Sequence, residues 1–249
     1  MKTAIITGGS RGLGKNMALA LADKGTDLII TYQSRQAEAE ETVRRATEKG
    51  RKAAALQLNV SDNKTFPAFA EEVKEVLKDF GRTGFDILVN NAGMGINTPF
   101  TETTEEQFDL LMNTHFKGTF FLTQKLLPLM NDNGRIMNIS TGLTRFSMPG
   151  YSAYASMKGA VEVLTRYLAK ELGHRGISAV SFAPGAIETD FGGGHVRDNN
   201  EINARIASIT ALGRVGLPDD IGGAVAALLS DECRWINGQR IEASGGMLL

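Results

Sequence analysis

The sequence predicts an α/β fold built on a doubly wound, mostly parallel sheet of about seven strands. Two observations support this prediction: short apolar runs recur along the chain, and stretches with apolar residues at helical spacing lie between them. Most of the runs are too uniformly apolar for a sheet with one face in water, so they are typical of strands buried on both faces. Alternating strands and helices imply right-handed crossovers between parallel strands.

The elements follow one another without interruption along the chain. Helical spacing is clearest in Met17–Leu21, Val73–Phe80 and Ala160–Leu172. Ligands of such folds bind beyond the carboxyl ends of the strands, where the strand order reverses. Most polar motifs described below follow a predicted strand and therefore belong to that edge. The predicted strands are Thr3–Ile6, Asp27–Tyr32, Ala53–Val60, Phe85–Asn90, Arg135–Ile139, Ile177–Ala183 and Gln239–Ala243.

Composition limits the class of protein. The 249 residues are 42% hydrophobic and contain no Pro/Gly/Ser-rich linker, so we expect one domain over residues 1–249. A net charge of −1 does not favour a nucleic-acid or membrane-surface partner.

A strand-like run from Lys2 leaves no room for a signal peptide, and no apolar run approaches the roughly 20 residues of a membrane span. A single cysteine, Cys233, excludes an internal disulfide and favours the cytoplasm. We expect it to be structural, and we predict no metal site.

A glycine-rich stretch, Thr7–Gly14, allows two interpretations. It contains G-x-S-x-G around Ser10, the pattern of a hydrolase nucleophile elbow. That elbow needs an oxyanion loop from an earlier strand, and an acidic residue and a histidine further along the chain. Because this stretch follows the first strand, no earlier strand can supply the loop. None of the three histidines, His115, His174 and His195, has a persuasive acidic partner. We therefore favour a phosphate-binding turn, with glycines before a helix whose N-terminus attracts anions.

Four motifs carry a family resemblance. The glycine-rich stretch has the spacing T-G-x-x-x-G-x-G, and Asn90–Gly93 is NNAG. Tyr154 and Lys158 form Y-x-x-x-K, and Pro184–Thr189 is P-G-x-I-x-T. In this order the motifs resemble the single-domain branch of the short-chain dehydrogenase/reductase family, which includes 3-oxoacyl reductases. The resemblance covers nearly the whole chain and implies a Rossmann-type sheet.

The resemblance assigns chemical roles. It implies an oxidoreductase that interconverts a carbonyl and a secondary alcohol, with Tyr154 as acid or base. Lys158 would hold the nicotinamide ribose, and Asn113 would anchor a water leading to Lys158. Because Tyr154 and Lys158 are four residues apart, they share a helix face, and a nearby ammonium would lower the phenol pKa.

The carbonyl-polarising hydroxyl is at a position where this chain departs from the family pattern. The family has a serine thirteen residues before the tyrosine, where this chain has Thr141. Ser140 is its neighbour, and successive side chains on a strand face opposite sides, so only one can reach the substrate. We predict Thr141 and keep Ser140 as the alternative.

The predicted cofactor is NADP(H). The second strand ends without the carboxylate that would select NAD: Tyr32 stands in its place, and Arg11, Ser34 and Arg35 could bind a 2′-phosphate. Asn59-Val60 replaces the family's Asp-Val beside adenine. The full set of predicted cofactor-binding residues is Gly8, Ser10, Arg11, Gly12, Leu13, Gly14, Tyr32, Ser34, Arg35, Asn59, Val60, Asn91, Ala92, Gly93, Tyr154, Lys158, Pro184, Gly185, Ile187 and Thr189.

Substrate and assembly are less defined. We expect a small carbonyl or alcohol substrate in a pocket shaped by Met94, Leu143, Phe146 and Tyr151 and by the segment after Thr189. That segment opens with three glycines within Asp190–Gly194 and would form a mobile lid around residues 190–212. The resemblance implies a homotetramer, with helices Thr104–Met130 and Ala153–Leu172 as one interface. The alternative function is an NADP(H)-binding redox sensor without turnover, although such sensors typically lose the Tyr/Lys pair. Enoyl reductases of related branches space that pair more widely.

Overall fold

A seven-stranded parallel sheet forms the centre of the protein, as predicted. The computed structural model describes all residues, 1–249. The strand order is β3-β2-β1-β4-β5-β6-β7, and every neighbouring pair is parallel. The strands are β1 Thr3–Ile6, β2 Asp27–Tyr32, β3 Ala53–Gln57, β4 Phe85–Asn90, β5 Met130–Ile139, β6 Ser178–Pro184 and β7 Arg240–Ala243.

Helices cover both faces of the sheet. They are α1 Gly12–Asp23, α2 Gln36–Glu48, α3 Phe66–Asp79, α4 Glu105–Leu111, α5 Gly118–Leu126, α6 Ser152–Glu171, α7 His195–Asp198, α8 Asn200–Ser208 and α9 Pro218–Leu228. None of them is both long and apolar enough to span a bilayer.

The two faces of the sheet have separate apolar cores. Along β1, Ala4 and Ile6 enter the core shared with α1, α2 and α9, whereas Ile5 enters the core shared with α3 and α5. This division follows from the alternation of side chains along a strand. Burial on both faces also explains why β1, β2 and β4 could be located as uniform apolar runs.

The strand order reverses between β1 and β4. From this point β2 and β3 extend to one side, and β5, β6 and β7 extend to the other. Thr7 joins the two strand ends, because its Oγ1 accepts hydrogen bonds from the backbone N–H groups of Asn91 and Ala92, both at 2.9 Å. A crevice therefore opens at the carboxyl ends of β1 and β4, where this fold places its ligand.

β6 differs from the sequence prediction by one residue at each end and β7 by one residue at its start, and three elements differ by more. β3 ends at Gln57, not Val60, because the chain then turns towards the crevice. β5 begins at Met130, not Arg135, and its first half holds Asn133 at a φ of 61°. The predicted helix Thr104–Met130 is also divided. A capping box at Thr104 starts α4, a π-helical segment at Met112–Lys117 separates α4 from α5, and a 3₁₀ turn ends the helix before β5.

Candidate active site

The glycine-rich turn leaves the N-terminus of α1 open. Gly8 and Gly12 have φ angles of +67° and +54°, which glycine adopts without strain. A Cβ on Gly14 would lie 2.0 Å from the Gly8 carbonyl oxygen, so only glycine allows the helix to approach the turn this closely. No side chain caps α1, and its first turn has no acidic residue. The free N–H groups and the helix dipole therefore suit an anionic group.

One cavity of about 480 Å³ extends from this turn towards α6. It passes the end of β2, where Tyr32, Ser34 and Arg35 border it. Every residue predicted to bind the cofactor lines this cavity, and so do the four residues predicted to shape the substrate pocket. The structure thus brings together motifs that are separated by up to 181 positions, from Gly8 to Thr189.

Two arginines at the mouth of the cavity have acidic partners. Arg35 is paired with Glu38 at 3.1 Å, and Arg11 is paired with Asp190 at 3.3 Å. All four side chains are largely exposed, and exposed pairs contribute little free energy. A phosphate could therefore compete with these carboxylates for both guanidinium groups.

Tyr154 and Lys158 lie at the inner end of the cavity, and both are buried. The Lys158 Nζ donates a hydrogen bond to the Ile139 carbonyl oxygen at 2.7 Å and lies 5.9 Å from the centre of the Tyr154 ring. β5 thus orients the lysine, while their common helix, α6, brings the lysine and the tyrosine onto one face.

Burial dominates the electrostatics of this pair. It raises the pKa of Tyr154 above its ordinary value, and a hydrogen bond with Thr141 opposes that shift only in part. Burial also lowers the pKa of Lys158 to about 8. The expected lowering of the Tyr154 pKa by Lys158 is not found: removal from water disfavours the phenolate more than the Thr141 hydrogen bond favours it, and Lys158 does not contribute to the shift.

Ser140 and Thr141 have different partners. Both border the cavity, but the Ser140 Oγ donates a hydrogen bond to the Glu162 Oε1 at 2.5 Å. Thr144 and Arg240 donate to the same carboxylate oxygen. Thr141 instead directs its hydroxyl towards Tyr154, while its Oγ1 accepts a hydrogen bond from the Leu143 N–H. Of the two alternatives, Thr141 is the hydroxyl placed at the tyrosine.

Asn113 does not line the cavity, and its role in anchoring a water that leads to Lys158 stays a prediction. His115, two residues further on, lines the cavity and is buried. Two residues are about half a helical turn, so the two side chains lie on opposite sides of the helix. Inward-facing positions in this region recur at helical spacing, which is the signal that could have identified His115. These positions are Leu111, Thr114, His115, Gly118 and Leu122.

The outer wall of the cavity includes residues from the segment after Thr189, which was expected to shape the pocket, and from the C-terminal segment, which sequence reasoning missed. Phe191, Val196 and Ile206 come from the segment predicted as a lid, where a 3₁₀ turn precedes α7 and α8. Met247 comes from the C-terminal segment, which Arg145 holds through hydrogen bonds to the carbonyl oxygens of Met247 and Leu248. No local pattern marks these residues, because only tertiary packing brings them to the cavity.

Comparisons with known proteins agree with the motifs. A family model described as Enoyl-(Acyl carrier protein) reductase matches residues 8–248. The hydroxynaphthalene reductase-like protein Arp2 of Metarhizium brunneum is 35% identical, over 98% of this chain and 94% of the relative.

Two solved reductases have similar structures. The promiscuous reductase LugOII, which catalyses keto-reduction at C1 during lugdunomycin biosynthesis, has a TM-score of 0.94 and 38% identity, covering 99% of this chain and 97% of the other. The landomycin C-6 ketoreductase LanV with bound NADP and rabelomycin has a TM-score of 0.90 and 35% identity, covering 99% and 96%. With its sheet order, its motifs and these relatives, the chain belongs to the short-chain dehydrogenase/reductase family.

Proposed function

We propose that this protein reduces a ketone to a secondary alcohol with NADPH, using Tyr154 as the proton donor. The observation that supports this most directly is the placement of the Thr141 hydroxyl, Tyr154 and Lys158 at the inner end of the cavity that starts at the glycine-rich turn. This arrangement combines a dinucleotide-sized site with a proton donor.

The residues present fit NADP(H). The glycine-rich turn, which a Cβ on Gly14 would fill, would take the pyrophosphate, and Arg11, Ser34 and Arg35 would take the 2′-phosphate. The end of β2 supplies no carboxylate to repel that phosphate. Ketoreductase relatives of known structure hold NADP. When bound, NADPH supplies the hydride, and the protein supplies orientation and the proton.

The environment of Tyr154 favours the reductive direction. Because burial raises the phenol pKa, the Oη keeps its proton at neutral pH and can donate it to a carbonyl oxygen. The Thr141 hydroxyl would donate a second hydrogen bond to the same oxygen and stabilise the negative charge that develops there. Lys158, fixed by Ile139, would hold the ribose hydroxyls of the cofactor.

The proposed substrate class is a ketone conjugated with, or fused to, aromatic rings. The open part of the cavity is bordered by Phe146, Tyr151 and Phe191, with flexible methionines at 94 and 247. The names of the relatives point to the same chemistry, since they include a hydroxynaphthalene reductase-like protein. Reduction of a carbonyl, and not of an enoyl double bond, fits the spacing of Tyr154 and Lys158 on one helix face.

Two further parts of the proposal concern motion and assembly. Gly192, Gly193 and Gly194 all have positive φ angles, and this glycine run would let residues 190–212 open and close over the substrate.

Helices α4, α5 and α6 expose apolar surface that would be covered in a homotetramer. The exposed side chains are Phe108, Phe120, Phe121, Val163 and Tyr167. Light scattering of the purified protein would give its mass in solution, and a monomer would refute the tetramer.

The function is tested with a panel of substrates, followed through loss of NADPH absorbance. The panel contains a fused-ring aromatic ketone, a hydroxynaphthalene and a 3-oxoacyl thioester. Tyr154→Phe should abolish turnover, whereas the matched change Tyr167→Phe, on the exposed side of the same helix, should retain it. Turnover by Tyr154→Phe would refute the mechanism. NADPH binding without turnover of any substrate would favour the redox sensor instead.

A further inference from the structure

The C-terminal segment, residues 244–249, forms part of the cavity wall. Its contribution is the side chain of Met247, a residue that is only 4% exposed. The segment follows β7 through Gly245 and Gly246, whose φ angles are +64° and +77°, and it belongs to no helix or strand. Because consecutive glycines give the backbone little stiffness, contacts with other parts of the molecule must hold Met247 in the wall.

Leu248 has an uncommon backbone conformation. Its φ angle is +52°, in the left-handed region that leucine rarely adopts. Its N–H donates a hydrogen bond to the Ile209 carbonyl oxygen at 2.9 Å, and its own carbonyl oxygen accepts one from the Arg145 Nη1 at 2.9 Å. A strained residue persists only where its surroundings impose the strain. These two contacts therefore fix the chain immediately after Met247.

Arg145 binds the segment at two points and the sheet at a third. Its Nη2 donates to the Met247 carbonyl oxygen at 2.6 Å, next to the bond from Nη1 to Leu248. The same guanidinium forms a bidentate pair with Glu242 of β7, with distances of 2.7 Å from Nη2 and 3.0 Å from Nε. Only 16% of the Glu242 side chain is exposed, so water screens this pair less than it screens pairs at the surface. Arg145 thus fastens the segment to the edge strand.

Arg145 belongs to the connection after β5, which forms another part of the wall. The next residue, Phe146, lines the cavity, and the Arg145 Cζ lies 5.3 Å from the centre of its ring. The ring also packs on Gly142, where a Cβ would lie 2.8 Å from the Phe146 Cε1. Arg145 does not line the cavity itself. It joins two parts of the wall, the connection that carries Phe146 and the segment that carries Met247.

The C-terminal segment also pairs with the end of the proposed lid. Met247 forms an antiparallel bridge with Thr210, and the Leu212 N–H donates to the Gly245 carbonyl oxygen at 3.0 Å. Helix α8, just before this pairing, carries Ile206, which lines the cavity. The position of the segment therefore determines where the last residues of the lid lie.

We propose that Arg145 is a positioning residue that sets the substrate range of the cavity: it holds Met247 in place relative to Phe146, so that the wall fits a ketone fused to aromatic rings. This inference rests on the proposed function, because it concerns the substrate of the same reduction. A fused-ring ketone has enough aromatic surface to be stabilised by the methionine thioether. A small monocyclic ketone buries less surface and gains less from a fixed Met247.

Steady-state reduction by Arg145→Met tests this role through the difference between two substrates. Methionine keeps an unbranched stem but has no guanidinium, so the four hydrogen bonds to the segment and to Glu242 are lost. For a fused-ring aromatic ketone we expect KM to rise about tenfold, the upper range of one methionine–aromatic contact. For a small monocyclic ketone KM should change by less than about threefold, the lower range of that contact.

The matched control is Arg175→Met. Arg175 has the same kinds of partner, the Asp132 carboxylate and the carbonyl oxygens of Leu127 and Met130, but none of these residues lines the cavity. Urea unfolding should show a loss of stability in both variants, whereas the KM values for the two ketones should change in Arg145→Met alone. An equal rise for both ketones in Arg145→Met, or a selective rise in Arg175→Met, would overturn the inference.

A double variant tests whether Arg145 acts through Met247. Met247→Ala should raise the KM for the fused-ring ketone by itself. In that background Arg145→Met should add less than about threefold, because residues that act through one contact are not additive. A full further tenfold rise would refute the route through Met247.

Hydrogen exchange of the full-length protein tests the anchoring without any ketone. We expect the amides of Leu212 and Leu248 to exchange about tenfold faster or more in Arg145→Met, since the segment that pairs with them is released. Arg175→Met should leave both amides at the wild-type rate. Unchanged exchange in Arg145→Met would overturn the inference. If the wild-type protein reduces no ketone, the proposed function fails, and the exchange rates still decide whether Arg145 anchors the segment.

Discussion

Replacement of Thr141 by valine is the sharpest test of the proposed chemistry. Valine has nearly the same shape as threonine but no hydroxyl, so the change removes the group that faces Tyr154 and leaves the volume of the cavity wall almost unchanged. Its matched control is Ser140→Ala, which removes the neighbouring hydroxyl. The two residues are adjacent in sequence, yet they hydrogen-bond to different partners.

The structure allows the size of each effect to be estimated. A hydrogen-bond donor placed at a developing oxyanion contributes about 10²–10³-fold to kcat, so Thr141→Val should lose about that factor. Ser140→Ala removes one of three hydrogen bonds to the Glu162 Oε1, and Thr144 and Arg240 keep that carboxylate paired. Its cost should be about 1 kcal/mol of unfolding free energy, with little change in kcat.

Two measurements distinguish these outcomes. Steady-state reduction of the best ketone substrate gives kcat and KM, and urea unfolding gives the free energy of unfolding for the same preparations. Thr141→Ser, which restores the hydroxyl without the methyl group, should recover most of the activity. The reasoning is refuted if Ser140→Ala loses kcat while Thr141→Val retains it, because the polarising role would then belong to Ser140.

Three further predictions concern the cofactor site and stability. Gly14→Ala should abolish NADPH binding, measured by fluorescence titration, because its Cβ would lie 2.0 Å from the Gly8 carbonyl oxygen; unchanged affinity would contradict the geometry of the turn. Arg35→Glu should reduce the ratio of kcat/KM for NADPH to kcat/KM for NADH by about tenfold or more, because a charge-assisted hydrogen bond to the phosphate is lost. An unchanged ratio would show that Arg35 does not bind the 2′-phosphate. Hydrogen bonds from Arg145, with smaller contributions from Ser244 and Arg240, lower the pKa of Glu242 to about 2, below its ordinary value of about 4.3. The carboxylate therefore stabilises the fold above about pH 4, and this contribution is lost as the pH falls through 2. Arg145→Met should therefore unfold at a higher pH on acid titration followed by circular dichroism, and an identical midpoint would show that this pair contributes nothing.

The sequence was most informative where burial is uniform. β1, β2 and β4 were predicted with their observed bounds, because strands covered on both faces are continuous apolar runs. The first half of β5 was missed because Asn131–Gly134 has the composition of a turn, although Met130 pairs with Phe85 in the sheet.

The site was predictable to the extent that motifs encode it. The glycine-rich turn and the Tyr154–Lys158 pair have fixed spacings, and all of them lie at one cavity. That His115 and not Asn113 faces the cavity could not be predicted from a motif, because the π-helical segment and the burial of one side of the helix depend on the packing against α6. The pKa of Tyr154 likewise depends on tertiary burial.

The cavity residue that would set the reaction rate and those that would set the substrate range lie at different distances from the sheet. Thr141 follows the central strand β5 by two residues, and its carbonyl oxygen accepts a hydrogen bond from Arg240 of the edge strand β7. Met94, Phe146 and Phe191 stand further from the strand ends, along the connections that follow β4, β5 and β6. Loops tolerate substitution and insertion far better than a strand buried on both faces. Diversification of this protein, in the laboratory or by descent, should therefore produce new specificities more readily than new chemistry.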